Sequence, residues 1–461
     1  MSLSSGILLR SGAPAASGRA SMLEPVALAL TVAALVTLCV VSPLTLAVYG
    51  VDYDTAGGSA LAKIHPGTYL AVLALAARLA AAPRPWPTLQ RLLLAEPGLL
   101  LYLAALGLLA VYVIAIARSP VTPLIDTFLL ALLLTMLLEG LDERVARLLA
   151  LILVGIFAAD ALLALAEVST GWRLIHISVP EGVTSDPTRP DLVFDWRADL
   201  ATDWRATALF GHPLENAMLM GGFLICMASR GTAWLGTGLR FGLGILALLA
   251  MFAFGGRASL VFSGFLIVLF GLTALARRLI QGRAVSLRAA AAILLILPLV
   301  AIGLAIIGET GLFDRMAERF RADDGSALAR LTMWSLFDPI PWRDLVLAPD
   351  QAVVKTWQRL QGLEFGIESF WVGFALTYGL VMSAVLIAGL AGFVVSVVRL
   401  SGRGAIAVFL FYFAGASTST SLSSKTTSFA ILTALVLLVL RSDDRPTPSI
   451  TAGLSTERSR G

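Results

Sequence analysis

From Pro97 to Ala117 the chain reads PGLLLYLAALGLLAVYVIAIA, without one charged side chain, and comparable runs recur along most of its length. A stretch of this kind matches the roughly 20 apolar residues that a helix needs to cross a bilayer. Over the whole chain 58% of residues are hydrophobic and 14% charged, against about 25% charged in an average soluble domain. Length therefore counts membrane spans here, not globular domains. The expectation is an all-α integral membrane protein.

The apolar runs divide into twelve expected spans. The first six are Pro25 to Tyr49, Pro66 to Ala82, Pro97 to Ala117, Pro123 to Leu138, Leu148 to Ala166 and Pro213 to Ala228. The second six are Phe241 to Phe254, Leu260 to Leu275, Ala289 to Ile307, Ser369 to Val398, Ala405 to Ala416 and Phe429 to Leu440. Several fall short of a full crossing, so they must borrow flanking residues or be partly re-entrant. Proline opens many of them, where a missing backbone donor costs little.

Basic residues orient this arrangement, because short cytoplasmic loops are enriched in Lys and Arg. With the N-terminus inside, nineteen arginines fall on the cytoplasmic side, among them Arg78, Arg147, Arg240 and Arg441. The short outer loops receive only Lys63, Arg118, Arg257 and Lys425. The expected organisation is then a cytoplasmic tail at 1–24, a membrane domain at 25–440 and a disordered cytoplasmic tail at 441–461. Both termini lie inside, and two long loops at about 167–212 and 308–368 face outward, which in a bacterial inner membrane means the periplasm. The net charge of +4 is explained by this orientation and calls for no nucleic-acid partner. Cys39 and Cys226 both lie in apolar runs and read as core residues, not as a disulfide or metal site.

The later long loop, GETGLFDRMAERFRADDGSALARLTMWSLFDPIPWRDLVLAPDQAVVKTWQRLQGLEFGIESFW, is rich in charge and tryptophan. Apolar spacing over Asp314 to Phe337 predicts a pair of amphipathic helices on the outer leaflet, stopped by Pro339 and Pro341, with Arg321 and Arg330 at the polar edge and Trp334 on the apolar one. Asp323 and Asp324 are adjacent acids without further metal-ligand spacing. At the loop's exit Glu364 and Glu368 are four residues apart, which puts both on one face if the following span begins early. A carboxylate at a low-dielectric mouth can act as a general base, and it can equally serve as a partner for Arg330 or Lys425.

The first long loop ends DWRADLATDWRATALFGHPLENA, bringing Arg205, His212 and Asn216 to the mouth of a helix starting at Pro213. The first turn of such a helix offers unpaired N–H groups and a positive dipole end, a natural seat for phosphate. GGRAS, containing Arg257 and Ser259, is a tight link that holds an arginine at membrane level, where either a phosphate or a lipid headgroup would be its partner. STSTSLSSKTTS places Lys425 in a hydroxyl-rich outer turn suited to sugar or phosphate, or to a plain polar turn.

With these segments in view, the chain resembles the O-antigen ligase/polymerase superfamily (Wzy/WaaL-like): GGRASL between spans, ALARLTMWSLF followed by prolines, and FGIESFWVGFALTYGL at the loop exit occur in that family's order. KIHPGTYL, RATALFGHPLENA and SSKTTSFA are most similar to its VpsF-type exopolysaccharide polymerase branch. The resemblance covers most of the membrane region through short motifs. It implies a membrane glycosyltransferase that takes a glycan from undecaprenyl diphosphate in the periplasm and passes it to an acceptor hydroxyl, with no metal and no cofactor. The implied partners are the lipid-linked oligosaccharide, membrane lipids and other polysaccharide export proteins. Matched onto this chain, the family's inter-span arginine is Arg257 and its loop arginine is Arg330. Where the ligases carry a histidine at the loop exit this chain has Glu368, which turns the expectation from ligase toward polymerase and leaves Glu368 and His212 as candidate bases. Arg205, Arg257, Arg330 and Lys425 are the candidate cations for the diphosphate. A transporter or flippase is the main rival, since many spans with both termini inside also describe transporters. It should show repeated halves and ionisable groups near the midplane, where only Asp160 looks deep.

Overall fold

The computed structural model describes residues 18–51, 53, 59–94, 96–117, 120–176, 183–184, 193–194, 200, 204–282, 315, 317–318, 326–363, 366–419 and 422–441. These residues are overwhelmingly helical: α1 Gly18–Val40, α2 Pro43–Val48, α3 Pro66–Ala81, α4 Pro85–Leu94, α5 Pro97–Tyr112, α6 Thr122–Leu124, α7 Leu130–Leu138 and α8 Glu143–Thr170. After one two-residue parallel pairing of β1 Val183–Thr184 with β2 Val193–Phe194 follow α9 Pro213–Ala228, α10 Thr237–Ala253 and α11 Arg257–Ile280. The last group is α12 Ser326–Thr332, α13 Trp342–Leu347, α14 Gln351–Leu360, α15 Phe370–Ser401, α16 Gly404–Ala416 and α17 Ser428–Val439.

Among the described residues, five helices are long and apolar enough to cross a membrane, or six if the α3–α4 pair, bent by 120°, is one broken span. Eleven of the twelve expected stretches fall on apolar helices, several of them too short to cross alone, while Ala289 to Ile307 lies outside the described residues. The first is interrupted: α1 stops before Ser42, whose side chain accepts from the Thr45 N–H to start α2.

The short helices occupy the middle. Every residue of α7 and of α17 is buried, as a helix apolar all round must be. A twelve-residue helix is only about 18 Å long, well under the roughly 30 Å of a hydrocarbon core. Arg403 precedes α16 and Arg441 follows α17, so the turn that joins these two short helices lies at the end of both away from those arginines. Irregular backbone within a bilayer survives only where protein satisfies it, and the described part of this turn is tied to the protein through Ser417, Thr418, Ser419, Ser423, Lys425 and Thr426.

Arginines close the C-terminal ends of the helices they meet. Arg78 donates to the carbonyls of Met136, Leu137 and Glu139 at the end of α7, at 2.7, 2.9 and 2.8 Å. Arg240 does the same for Met227 and Ser229 after α9, and Arg441 donates to Leu141. Cations are favourable at helix C-termini, whose last carbonyls have no partner within the helix.

The later long segment builds its own small core on the first turns of α15. Met333, Leu336, Ile340, Leu345, Val354 and Leu363 bury against Val372 and Leu376. The expected amphipathic pair is only partly met: α12 and a 3-10 turn at Met333–Phe337 lie within it, and most of 314–325 is outside the described residues. Pro341 instead N-caps a further helix, α13, and Asp350 caps α14 by accepting from the Ala352 N–H at 2.8 Å.

Candidate functional site

Two His-Pro steps set the geometry where α3 and α9 begin. His65 and His212 each N-cap a helix that begins on proline, and each imidazole Nδ1 accepts the N–H two residues on, from Gly67 at 3.1 Å and from Leu214 at 3.3 Å. The proline removes one donor of the first turn and the imidazole satisfies another. An Nδ1 that accepts leaves the proton on Nε2 in the neutral ring. For His65 that Nε2 faces the Val41 carbonyl at 2.6 Å, joining α3 to the end of α1. Burial makes His65 less basic, while the Val41 carbonyl and Asp126 pull the other way.

The stretch from Arg205 to His212 is clamped from two sides. Glu167, buried on α8, accepts from the N–H groups of Thr207 at 2.8 Å and Ala208 at 3.1 Å. One turn pair earlier on the same face, Asp160 Oδ1 accepts from the Leu209 N–H at 2.8 Å. Asn216 is fully buried and donates to the Thr207 carbonyl at 2.6 Å, so it holds the loop from α9. The Ala206 N–H meets the Ala253 carbonyl at 3.1 Å, which brings the Arg205 backbone beside the α10–α11 link.

In that link Gly255 has φ 64° and Arg257 is the first residue of α11. A Cβ on Gly256 would lie 2.3 Å from the Ala217 Cβ, so only glycine lets α11 start against the first turns of α9. Ser259 is buried in the first turn of α11. Arg205, His212, Asn216, Arg257 and Ser259, predicted from separate motifs, therefore share one neighbourhood.

Arg330 and Glu368 form the second centre. Arg330 Nε lies 3.1 Å from Glu368 Oε2, with each side chain about a third exposed, at 37% and 33%. Glu368 is not on a helix shared with Glu364: Gly366 has φ 114°, Ser369 is the N-cap of α15, and Glu364 itself lies outside the described residues, as does Arg321. The early start of the span on which that shared face depended is prevented by this glycine, whose backbone is not helical. Trp334 is exposed and packs on Phe337 with ring centroids 5.9 Å apart.

The connection between α16 and α17 touches elements of both centres. Ser419 reaches Met218 of α9, whereas Ser423 Oγ donates to the Ile367 carbonyl at 3.0 Å, next to Glu368. Trp371 donates through Nε1 to Ser417 Oγ at 2.9 Å. The two long segments also meet directly, with Arg315 over the Trp204 ring at 6.0 Å from its centroid.

Lys425 points the other way, into the protein. Its side chain is 10% exposed, and Nζ donates to the Tyr53 carbonyl at 2.8 Å, lies 3.1 Å from the centroid of that tyrosine's ring, and faces Asp126 Oδ2 at 3.8 Å. Asp126 is fully buried and also accepts from Tyr53 Oη, Thr68 Oγ1 and the His65 N–H. Thr127 beside it accepts from the Thr426 N–H at 3.1 Å. This network was not read from the sequence, where Asp126 stood as a single acid in an apolar run. The available signal was that very isolation, since a lone charge within a span needs a named partner.

Compared with protein-family models, with curated proteins and with solved structures, the chain matches none.

Proposed function

We propose that this chain is a membrane glycosyltransferase of the Wzy-like polymerase kind, extending undecaprenyl-diphosphate-linked glycans on the periplasmic face of a bacterial inner membrane. In this reading about twelve segments enter the membrane, both termini are cytoplasmic, and both long segments lie outside. The observation that carries it is that the connection between α16 and α17, taken here as the floor of the site, touches both groups of candidate residues. Ser419 reaches Met218 of α9, the helix that His212 caps and against which the Arg257 link starts, and Ser423 bonds the Ile367 carbonyl beside the Arg330–Glu368 pair.

The chemistry follows from these placements. An external transferase has no nucleotide sugar, so its donor is a lipid diphosphate, whose departure needs fixed cations. Arg257 and Arg205, beside the first turn of α9, supply that charge along with a helix N-terminus. The acceptor hydroxyl attacks the anomeric carbon, Glu368 takes the hydroxyl proton, and the anomeric C–O bond breaks as the diphosphate leaves. Arg330 orients the Glu368 carboxylate. His212, with its proton on Nε2, is a donor suited to a diphosphate oxygen or a sugar hydroxyl and is a poorer base. Lys425 serves as an internal strut of the floor, and Asn216 and Ser259 shape its rim. No metal or cofactor enters the scheme.

The buried Asp126–Lys425 pair is the feature that favours the rival transport reading, since intramembrane ion pairs often mark ion pathways. Here Lys425 lies in the turn before α17 and Asp126 just ahead of α7, and both are engaged by direct protein contacts. Purified protein in nanodiscs, given a lipid-linked repeat unit, distinguishes the two. Longer glycans with free undecaprenyl diphosphate support the transferase; movement of intact lipid-linked glycan between leaflets, without lengthening, supports a flippase.

A further inference from the structure

The helices α13 and α14 carry an apolar surface that is left exposed among the described residues. Trp342, Leu347 and Leu360 are 71%, 53% and 71% exposed, and Trp357 is 36% exposed. At about 100° per residue, Val353, Trp357 and Leu360 share one flank of α14. Lys355 and Arg359 lie on the opposite flank and are exposed. The side between the flanks faces the protein, through buried Val354 and through Gln351, whose Nε2 donates to the Leu376 carbonyl at 2.8 Å.

The height of this surface is fixed by two contacts to helices of spanning length. Tyr112 Oη, near the end of α5, donates to the Leu347 carbonyl at 2.7 Å. At Gly379 the backbone of α15 leaves the helix, with φ 75° and ψ 164°, and a Cβ there would sit 2.9 Å from the Leu347 oxygen. The end of α13 is thus wedged between two apolar helices of spanning length. A helix lying flat at that level, with tryptophan and leucine on one flank and two cations on the other, fits the plane between lipid headgroups and acyl chains.

We infer that α13 and α14 form a shelf seated in the outer leaflet, its apolar flank among acyl chains and Lys355 and Arg359 at the level of anionic headgroups. This rests on the membrane assignment and on the external placement of the second long segment, not on the transferase chemistry. A nitroxide probe attached at Leu360→Cys or at Lys355→Cys, with the two native cysteines left buried, tests it in nanodiscs of neutral and anionic phospholipid. The Leu360 probe should collide with dissolved oxygen far more than with an aqueous nickel chelate, and the Lys355 probe should show the reverse bias. Equal chelate access at both positions would overturn the shelf. Shielding of the Leu360 probe from both reagents would also overturn it, because that result means a protein partner and not lipid.

Discussion

Lys425 stands 3.8 Å from Asp126 although 299 residues separate their neighbours Thr426 and Thr127, which are themselves hydrogen-bonded. The pair ties the turn before α17 to the helical segment just ahead of α7. Coulombic attraction between buried charges is offset by the cost of taking each from water, so the pair adds little net stability, but removing one partner strands the other. Lys425→Met should lower stability by about 3–5 kcal/mol, seen as an earlier thermal transition in detergent. The double variant Lys425→Met with Asp126→Asn should recover most of that loss. No recovery would mean that the two groups do not interact as a pair.

Gly379 interrupts α15 where Leu347 passes. An alanine there meets both a left-handed backbone and a carbonyl oxygen, so Gly379→Ala should cost on the order of 1–3 kcal/mol and loosen α13. Alanine at Gly264, with open space around its Cβ position, is the matched control and should be neutral or slightly stabilising. Equal melting of the two variants would show that the kink is dispensable.

Asp160 has one carboxyl oxygen on the Leu209 N–H, and the other, fully buried, is without a partner among the described residues. An amide keeps the accepting oxygen, so Asp160→Asn should stay within about 1 kcal/mol of wild type, whereas Asp160→Leu strands the Leu209 donor and should cost about 1–3 kcal/mol. Proteolysis at the 205–212 stretch reports the difference. If Asp160→Asn is as damaging as Asp160→Leu, the carboxylate charge is needed and the positional account of Asp160 fails.

The positions of apolar helices were legible because hydrophobic runs and proline starts are local signals: Pro66, Pro97 and Pro213 each open a helix where expected. Cluster membership was partly legible, since Arg205 and Arg257 each sit at the edge of an apolar run. The inward turn of Lys425 was not, because its partners Tyr53 and Asp126 lie in the first third of the chain and no local pattern links them. The α13 and α14 helices were hidden by Pro339 and Pro341, which read as stops although a proline also starts helices. The cap at Asp350 followed by apolar residues at 353, 357 and 360 was the signal available.

The central claim is that Glu368, oriented by Arg330 at 3.1 Å, accepts the proton of the attacking hydroxyl. An ion pair with both side chains about a third exposed contributes little to stability, so Glu368→Gln should fold and insert normally. The decisive measurement is the rate of undecaprenyl diphosphate release by purified protein given lipid-linked repeat units, comparing wild type, Glu368→Gln and His212→Ala. The account predicts that Glu368→Gln slows release by about 10²- to 10⁴-fold, the usual contribution of a general base, with donor binding unchanged. Near-normal release by Glu368→Gln, with folded His212→Ala inactive, would contradict it and move the role to the histidine.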